Sequence, residues 1–275
     1  MDRPIGMFDS GFGGLTVARA TIDLLPAEDL IYIGDTGRYP YGSKPLNDVR
    51  EYARELARSL VDDYHAKAIV VACNTATAAG LDALRAELDV PVIDVVAPGA
   101  DALVRTTTTG RVGVIGTVGT VSSGAYVRAI AAGGAPVTLA SAACPGFVEF
   151  VERGQTVGDE VMVLAERLLA PLREADIDAL LLGCTHYPFL ARTISDVMGQ
   201  GVTLVSSADE TAFAVQRQLA EFDLLHTGDR RGSHRFASSG DIDAFRELGR
   251  QLLGPELDET EPWPPEPSRP ASGTD

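Results

Sequence analysis

Two stretches of the chain place a thiol where a strand should give out: Cys73 in "KAIVVACNTATAAG" and Cys184 in "DALLLGCTHYPFL". Each follows an aliphatic run and is followed at once by polar residues, Asn74 and Thr75 in one, Thr185 and His186 in the other. A single cysteine at the end of a strand is readily a small buried hydrophobe. Packing does not require polarity at the next two positions, however, and the arrangement occurs twice, at an offset of 184 − 73 = 111 residues, so chemistry explains the pair better. Cys184 and His186 alone would suggest a nucleophile with its own base, but that leaves Cys73 without a role. Cys73, Cys184 and His186 could supply three metal ligands, yet no C-x-x-C or H-x-x-x-H pair accompanies them and a metal site is disfavoured. Cys144, in "AACPGF", has no counterpart in the other stretch and reads as structural.

Other groups gather around the same strand ends. "DSGFGGLTV" lacks both the P-loop lysine and the G-x-G-x-x-G spacing, so it does not point to a nucleotide. It does put a helix N-terminus just after a strand, as do the residues after Cys73 and Cys184, and free N–H groups there can hold an anion without a lysine or arginine. Asp9, at the end of the first strand, either caps the following helix or joins the site. Glu152, in "ACPGFVEFVERG", is a solvated helix residue or a functional one, and Glu149 is as good a candidate on spacing alone.

The elements that must position these residues alternate strand with helix. "PIGMFDS", "LIYIGD", "KAIVVACN", "VPVIDV", "RVGVIGT", "APVTLAS", "DALLLGCT" and "VTLVSS" are short apolar runs separated by segments of helical spacing. That is the rhythm of parallel sheets covered by helices, an α/β fold, whose ligands bind beyond the carboxyl ends of the strands. A second pair of stretches, "PIGMFDSGFGGLTV" and "RVGVIGTVGTVSSG", matches at an offset of 107. Two repeats at nearly equal offsets predict two pseudo-symmetric α/β domains with mainly parallel sheets and the site in the cleft between them. The expected boundary falls at the Pro-Gly pair in "DVVAPGA". Residues 1–95 with 208–255 then form a discontinuous first domain, 96–207 the second, and 256–275 a disordered tail rich in proline and acid that contains Trp263.

The totals agree with a globular chain: of 275 residues, 45% are hydrophobic and 23% charged. With 23 Lys plus Arg against 39 Asp plus Glu, a formal charge of −16, nucleic acid is not expected as a primary partner. No apolar run is long enough to span a bilayer and no signal peptide opens the chain, so a cytoplasmic location without a membrane partner is expected.

With "FDSGFGGLTV", "GDTGRYPYG", "ACNTAT", "GVIGT", "CPGFVEFVERG" and "LGCTHYP" in that order, the chain resembles the aspartate/glutamate racemase family, and its glutamate-specific branch in particular. The resemblance covers nearly all of residues 4–253, with Arg38 and Tyr39 standing where the family varies. It implies interconversion of L- and D-glutamate without a cofactor, to supply bacterial peptidoglycan, commonly by a homodimer. Inverting a stereocentre needs one base and one acid on opposite faces of the carbon, roles that two thiols can exchange. By resemblance, Cys73 takes the α-proton of D-glutamate and Cys184 that of L-glutamate; Asp9 and Glu152 assist Cys73, and His186 assists Cys184. Substrate contacts carry over to Asp9, Ser10, Tyr41, Gly42, Asn74, Thr75, Thr185 and His186, with Pro40, Thr117 and Thr120 as neighbours. No lysine at a strand end offers a place for pyridoxal phosphate.

Overall fold

All eight aliphatic runs become strands: β1 (Ile5–Asp9), β2 (Leu30–Gly34), β3 (Ala68–Val71), β4 (Val92–Asp94), β5 (Arg111–Gly116), β6 (Thr138–Ala143), β7 (Ala179–Gly183) and β8 (Thr203–Ser206). Two more follow, β9 (His234–Ser238) and β10 (Thr260–Pro262). The structure is a computed structural model that describes residues 3–265 apart from 227, 229 and 258. Among these residues no helix is long and apolar enough to cross a membrane.

The strands form two sheets, ordered β10-β9-β2-β1-β3-β4 and β6-β5-β7-β8, and every neighbouring pair is parallel. β1, β2, β3, β4 and β7 are buried along their whole length, as strands with helices on both faces must be. The order β2-β1-β3-β4 recurs as β6-β5-β7-β8. Register agrees: Ile5 lies beside Ala68, and Val112 beside Ala179, which gives the offsets 112 − 5 = 107 and 179 − 68 = 111 seen in the sequence. In each sheet the connections diverge between the first and third strands of the repeat, which opens a crevice at their carboxyl ends. Asp9 and Cys73 stand at one such crevice, Thr117 and Cys184 at the other.

The Pro-Gly pair at the expected boundary is helical. Pro98 and Gly99 lie in the first turn of the helix Val96–Thr106, where a proline removes no intrahelical hydrogen bond. That turn is capped by Asp94, whose Oδ1 accepts from the N–H groups of Val96 (2.8 Å) and Ala97 (2.9 Å).

The expected disordered tail from 256 is also corrected, as far as it is described. Thr260–Pro262 pair in parallel with Phe236–Ser238, and Trp263 is 6% exposed. Proline is tolerated there because β10 is an edge strand with one free side. Residues 266–275 lie outside the described part.

The chain returns from the second sheet to the first through the helix Ala208–Glu221, which packs on the helix Leu15–Leu24. A buried ion pair ties the return down. Lys67 and Glu28, 3% and 4% exposed, meet at 2.5 Å; Lys67 also donates to the Leu224 carbonyl at 2.7 Å, and Glu28 accepts from the His226 N–H at 2.6 Å. Removing one partner strands a charge in a dry site. Glu28→Ala should therefore destabilise the chain by about 3–5 kcal/mol in urea unfolding, whereas Glu28→Leu with Lys67→Met should cost far less.

Candidate active site

The site is built by the loops that follow β1, β2, β3, β5 and β7. Cys73 and Cys184 line one small cavity together with Ser10, Tyr39, Pro40, Tyr41, Gly42, Asn74, Thr75, Thr117, Val148, Thr185 and His186. Most of the residues expected from sequence thus converge, and the two thiols come from different sheets. Asp9, Thr120 and Glu152 stand one step behind the lining, hydrogen-bonded to Thr185, Thr75 and His186 respectively. Tyr39 and Val148 belong to the lining but were not among the expected contacts.

Cys73 occupies the N-cap position of the helix Asn74–Glu87, which brings the N–H groups of Ala76 and, from the neighbouring loop, Ser10 towards its sulfur. Burial pushes the thiol well above its ordinary pKa and the Asp9 carboxylate adds to this, while the two N–H groups oppose the rise. Cys73 therefore rests as a neutral thiol beside a carboxylate. Asp9 caps the first helix and stands beside Cys73. Its Oδ2 accepts from the Gly14 N–H at 2.8 Å at the start of the first helix, while Oδ1 is buried without a hydrogen-bond partner among the described residues.

Cys184 has a different neighbour. His186 is 2% exposed, lies between the rings of Phe12 (4.9 Å) and Tyr39 (6.0 Å), and joins its Nε2 to Glu152 Oε1 at 2.9 Å. Burial alone would lower its pKa. Hydrogen bonds to Cys184 and Glu152, with the charges of Cys184 and Asp9, outweigh burial and push it up to about 10. His186 is thus an imidazolium at neutral pH, the partner a Cys184 thiolate needs. Glu152, expected on the Cys73 side, belongs on the Cys184 side, and Glu149 lines an adjoining cavity with Cys144 instead. Close approach between the halves depends on Gly13, where a Cβ would stand 2.6 Å from both His186 Nδ1 and Thr185 Oγ1.

The lining contains no lysine or arginine. Apart from His186, its polar groups are neutral. Asn74 Oδ1 accepts from Tyr126 Oη at 2.5 Å, which leaves the buried Nδ2 without a partner and available as a donor. Tyr126 comes from the other half and packs against Gly183, where a Cβ would lie 2.9 Å from its ring. Thr75, Thr117 and Thr120 link their hydroxyls across the cleft at 2.9, 3.0 and 3.3 Å. A helix N-terminus follows β1, β3 and β5, but after Cys184 a short 3-10 turn, Tyr187–Leu190, precedes the helix Ala191–Met198. Among the described residues no three His, Cys, Asp or Glu side chains are grouped to hold a metal.

Comparison with known proteins places this arrangement. The pattern that defines the Asp/Glu/Hydantoin racemase family matches residues 15–215. The glutamate racemase of Beutenbergia cavernae is 52% identical over 271 residues, covering 94% of this chain and 92% of its own. Among solved structures, a glutamate racemase isoform from Bacillus anthracis superposes with a TM-score of 0.87 at 40% identity, over 92% of this chain and 94% of its own. The glutamate racemase of Francisella tularensis in complex with D-glutamate gives 0.87 at 34% identity, over 94% and 96%. The chain therefore belongs to the Asp/Glu/hydantoin racemases and, within them, to the glutamate racemases, which are isomerases.

Proposed function

We propose that the chain interconverts L- and D-glutamate by proton transfer between Cys73, Cys184 and the α-carbon, without a cofactor, and that the D-glutamate supplies peptidoglycan in the cytoplasm of a bacterium, made by a homodimer. The observation that carries the mechanism is the pair of thiols at equivalent strand ends of two repeats, lining one cavity. Their surroundings differ: Asp9 stands beside Cys73, and the His186 imidazolium beside Cys184. A Cys184 thiolate beside the His186 imidazolium removes the α-proton of L-glutamate and becomes a thiol. The Cys73 thiol delivers its proton to the other face of the carbon and becomes a thiolate. In the reverse direction Cys73 takes the proton of D-glutamate and Cys184 gives one up. Asp9 exchanges the proton of Cys73, and His186, held charged by Glu152, does so for Cys184.

Substrate carboxylates are bound by neutral donors. Asn74 Nδ2 and the hydroxyls of Thr75, Thr117 and Thr185 supply side-chain donors, and the N–H groups at strand-to-helix turns supply the rest. Such donors, fixed before the reaction, also oppose the charge that builds on the carboxylate as the α-proton leaves.

Two outcomes test this reading. In heavy water, either enantiomer of glutamate should give product that carries deuterium at the α-carbon; racemisation with no solvent-derived label excludes the thiol pair. Cys73→Ala and Cys184→Ala should each lower turnover by about 10²–10⁴-fold in both directions, since each reaction needs both an acid and a base. A panel containing aspartate and other small acids separates glutamate specificity from that of related racemases.

Glu152→Gln gives a pH-dependent test. Its carboxylate helps to hold the His186 pKa raised to about 10, so the imidazolium persists until the pH climbs through that value. Without the carboxylate, the proton should leave about one unit or more lower, towards the ordinary histidine value of about 6.5. The alkaline limb of the kcat/KM profile should move to lower pH by that amount. Because the equilibrium constant of a racemisation is one, the shift must be the same from L- and from D-glutamate.

A further inference from the structure

Four of the residues that line the cavity, Tyr39, Pro40, Tyr41 and Gly42, stand on the loop after β2, and this loop has little core of its own. Its anchor is Asp35, fully buried. Oδ1 accepts from Ser239 Oγ at 2.6 Å, and Oδ2 accepts from Arg38 Nε at 2.7 Å and from the Tyr41 hydroxyl. Burial and the Asp35 charge keep the Tyr41 phenol protonated, so it is the donor in that bond. The loop is also fastened to the end of β9, where Thr36 and Ser238 join hydroxyls at 2.6 Å and the Gly37 N–H donates to Ser239 Oγ at 2.9 Å.

Arg38 reaches outward from this anchor. Its Nη1 meets Glu55, and its Cζ lies 4.5 Å from the ring centre of Tyr52 and 5.5 Å from that of Trp263. Nη2 is buried with no hydrogen-bond partner among the described residues, so ring faces compensate it in place of an acceptor. Trp263 is itself held on two sides: its indole N–H donates to Ser59 Oγ at 2.9 Å, and its main-chain N–H to the Ser238 carbonyl at 2.8 Å.

We propose that Trp263, at the end of the last strand, is a positioning residue for the substrate loop, acting through Arg38 and Asp35 on Tyr41. The indole face sets where the guanidinium lies. The guanidinium holds the Asp35 carboxylate, and the carboxylate holds the Tyr41 side chain against the cavity. The inference rests on glutamate as the substrate. A loop held closed in advance lowers KM, because less ordering remains to be done when substrate binds. The turn Tyr41–Ser43 also packs on the helix Val118–Ser122 of the other half, so its placement governs closure of the cleft.

The test uses the full-length chain. Trp263→Ala should raise KM for both enantiomers about tenfold while kcat changes less than threefold; Trp263→Phe, which keeps an aromatic face, should recover most of the loss. Arg38→Lys, which keeps the charge without the planar group, should raise KM about fivefold and serves if Trp263→Ala does not fold. Trp263 is the only tryptophan in the chain, so its fluorescence should change saturably on titration of the unaltered protein with D-glutamate. A merely structural residue would lower the melting temperature and leave KM alone. Folded variants with KM within twofold of the parent overturn the proposal while the parent still racemises glutamate; a parent inert towards glutamate overturns the functional reading, and this inference with it.

Discussion

The cleft is organised around two buried thiols that line one cavity and that, in the mechanism proposed above, hold opposite protonation states across a single carbon atom. Burial pushes Cys73 towards the neutral form. The duplicated frame supplies equivalent positions, and the residues at those positions break the equivalence. Asp9, which ends β1, corresponds by the 107-residue offset to Gly116, so only the Cys73 side has a carboxylate there. Thr75 corresponds by the 111-residue offset to His186, so only the Cys184 side has an imidazole. One half spends its position on a hydroxyl that links to Thr117; the other spends it on a cation, sustained by Glu152 against a burial that would discharge it.

The same requirement bears on how an amino acid with two carboxylates enters a chain with a formal charge of −16. A lysine or arginine in the cavity would attract the carboxylates, but it would also lower the pKa of both thiols and erase the difference between them. Neutral donors avoid this. They bind through directed hydrogen bonds, and their partial charges fall off faster with distance than a full one. The surface acids are separated from the site by solvent, where screening acts over about 8 Å at physiological salt.

The sheets were legible in the sequence because parallel strands are buried on both faces and so appear as unbroken aliphatic runs. The thiols were legible because the motif is duplicated, and a repeated local oddity is harder to attribute to packing than a single one. What could not be read was distance through space. Glu149 and Glu152 lie three residues apart on one short helix, and only the fold sends one to His186 and the other to the adjoining cavity. Tyr39 gave no signal beyond standing in "GRYPYG", since an aromatic in a loop has no period to reveal the side on which it lies.

The C-terminal strand was missed for a further reason, and it shows how composition differs from environment. "ELDETEPWPPEP" has the low hydrophobicity and acidic, proline-rich character of a disordered segment, and a three-residue strand carries no pattern of its own. Its stability comes from elsewhere. β9 offers an unpaired edge, Ser59 offers an acceptor to the indole, and Arg38 offers a cation to the ring; each of these was already placed by the first sheet or by the loop after β2. A single large side chain joined to three prepared contacts can order a segment whose average composition argues against it. The exchange works in both directions: the loop that lines the cavity obtains from β9 and β10 the packing that its own short turns cannot provide.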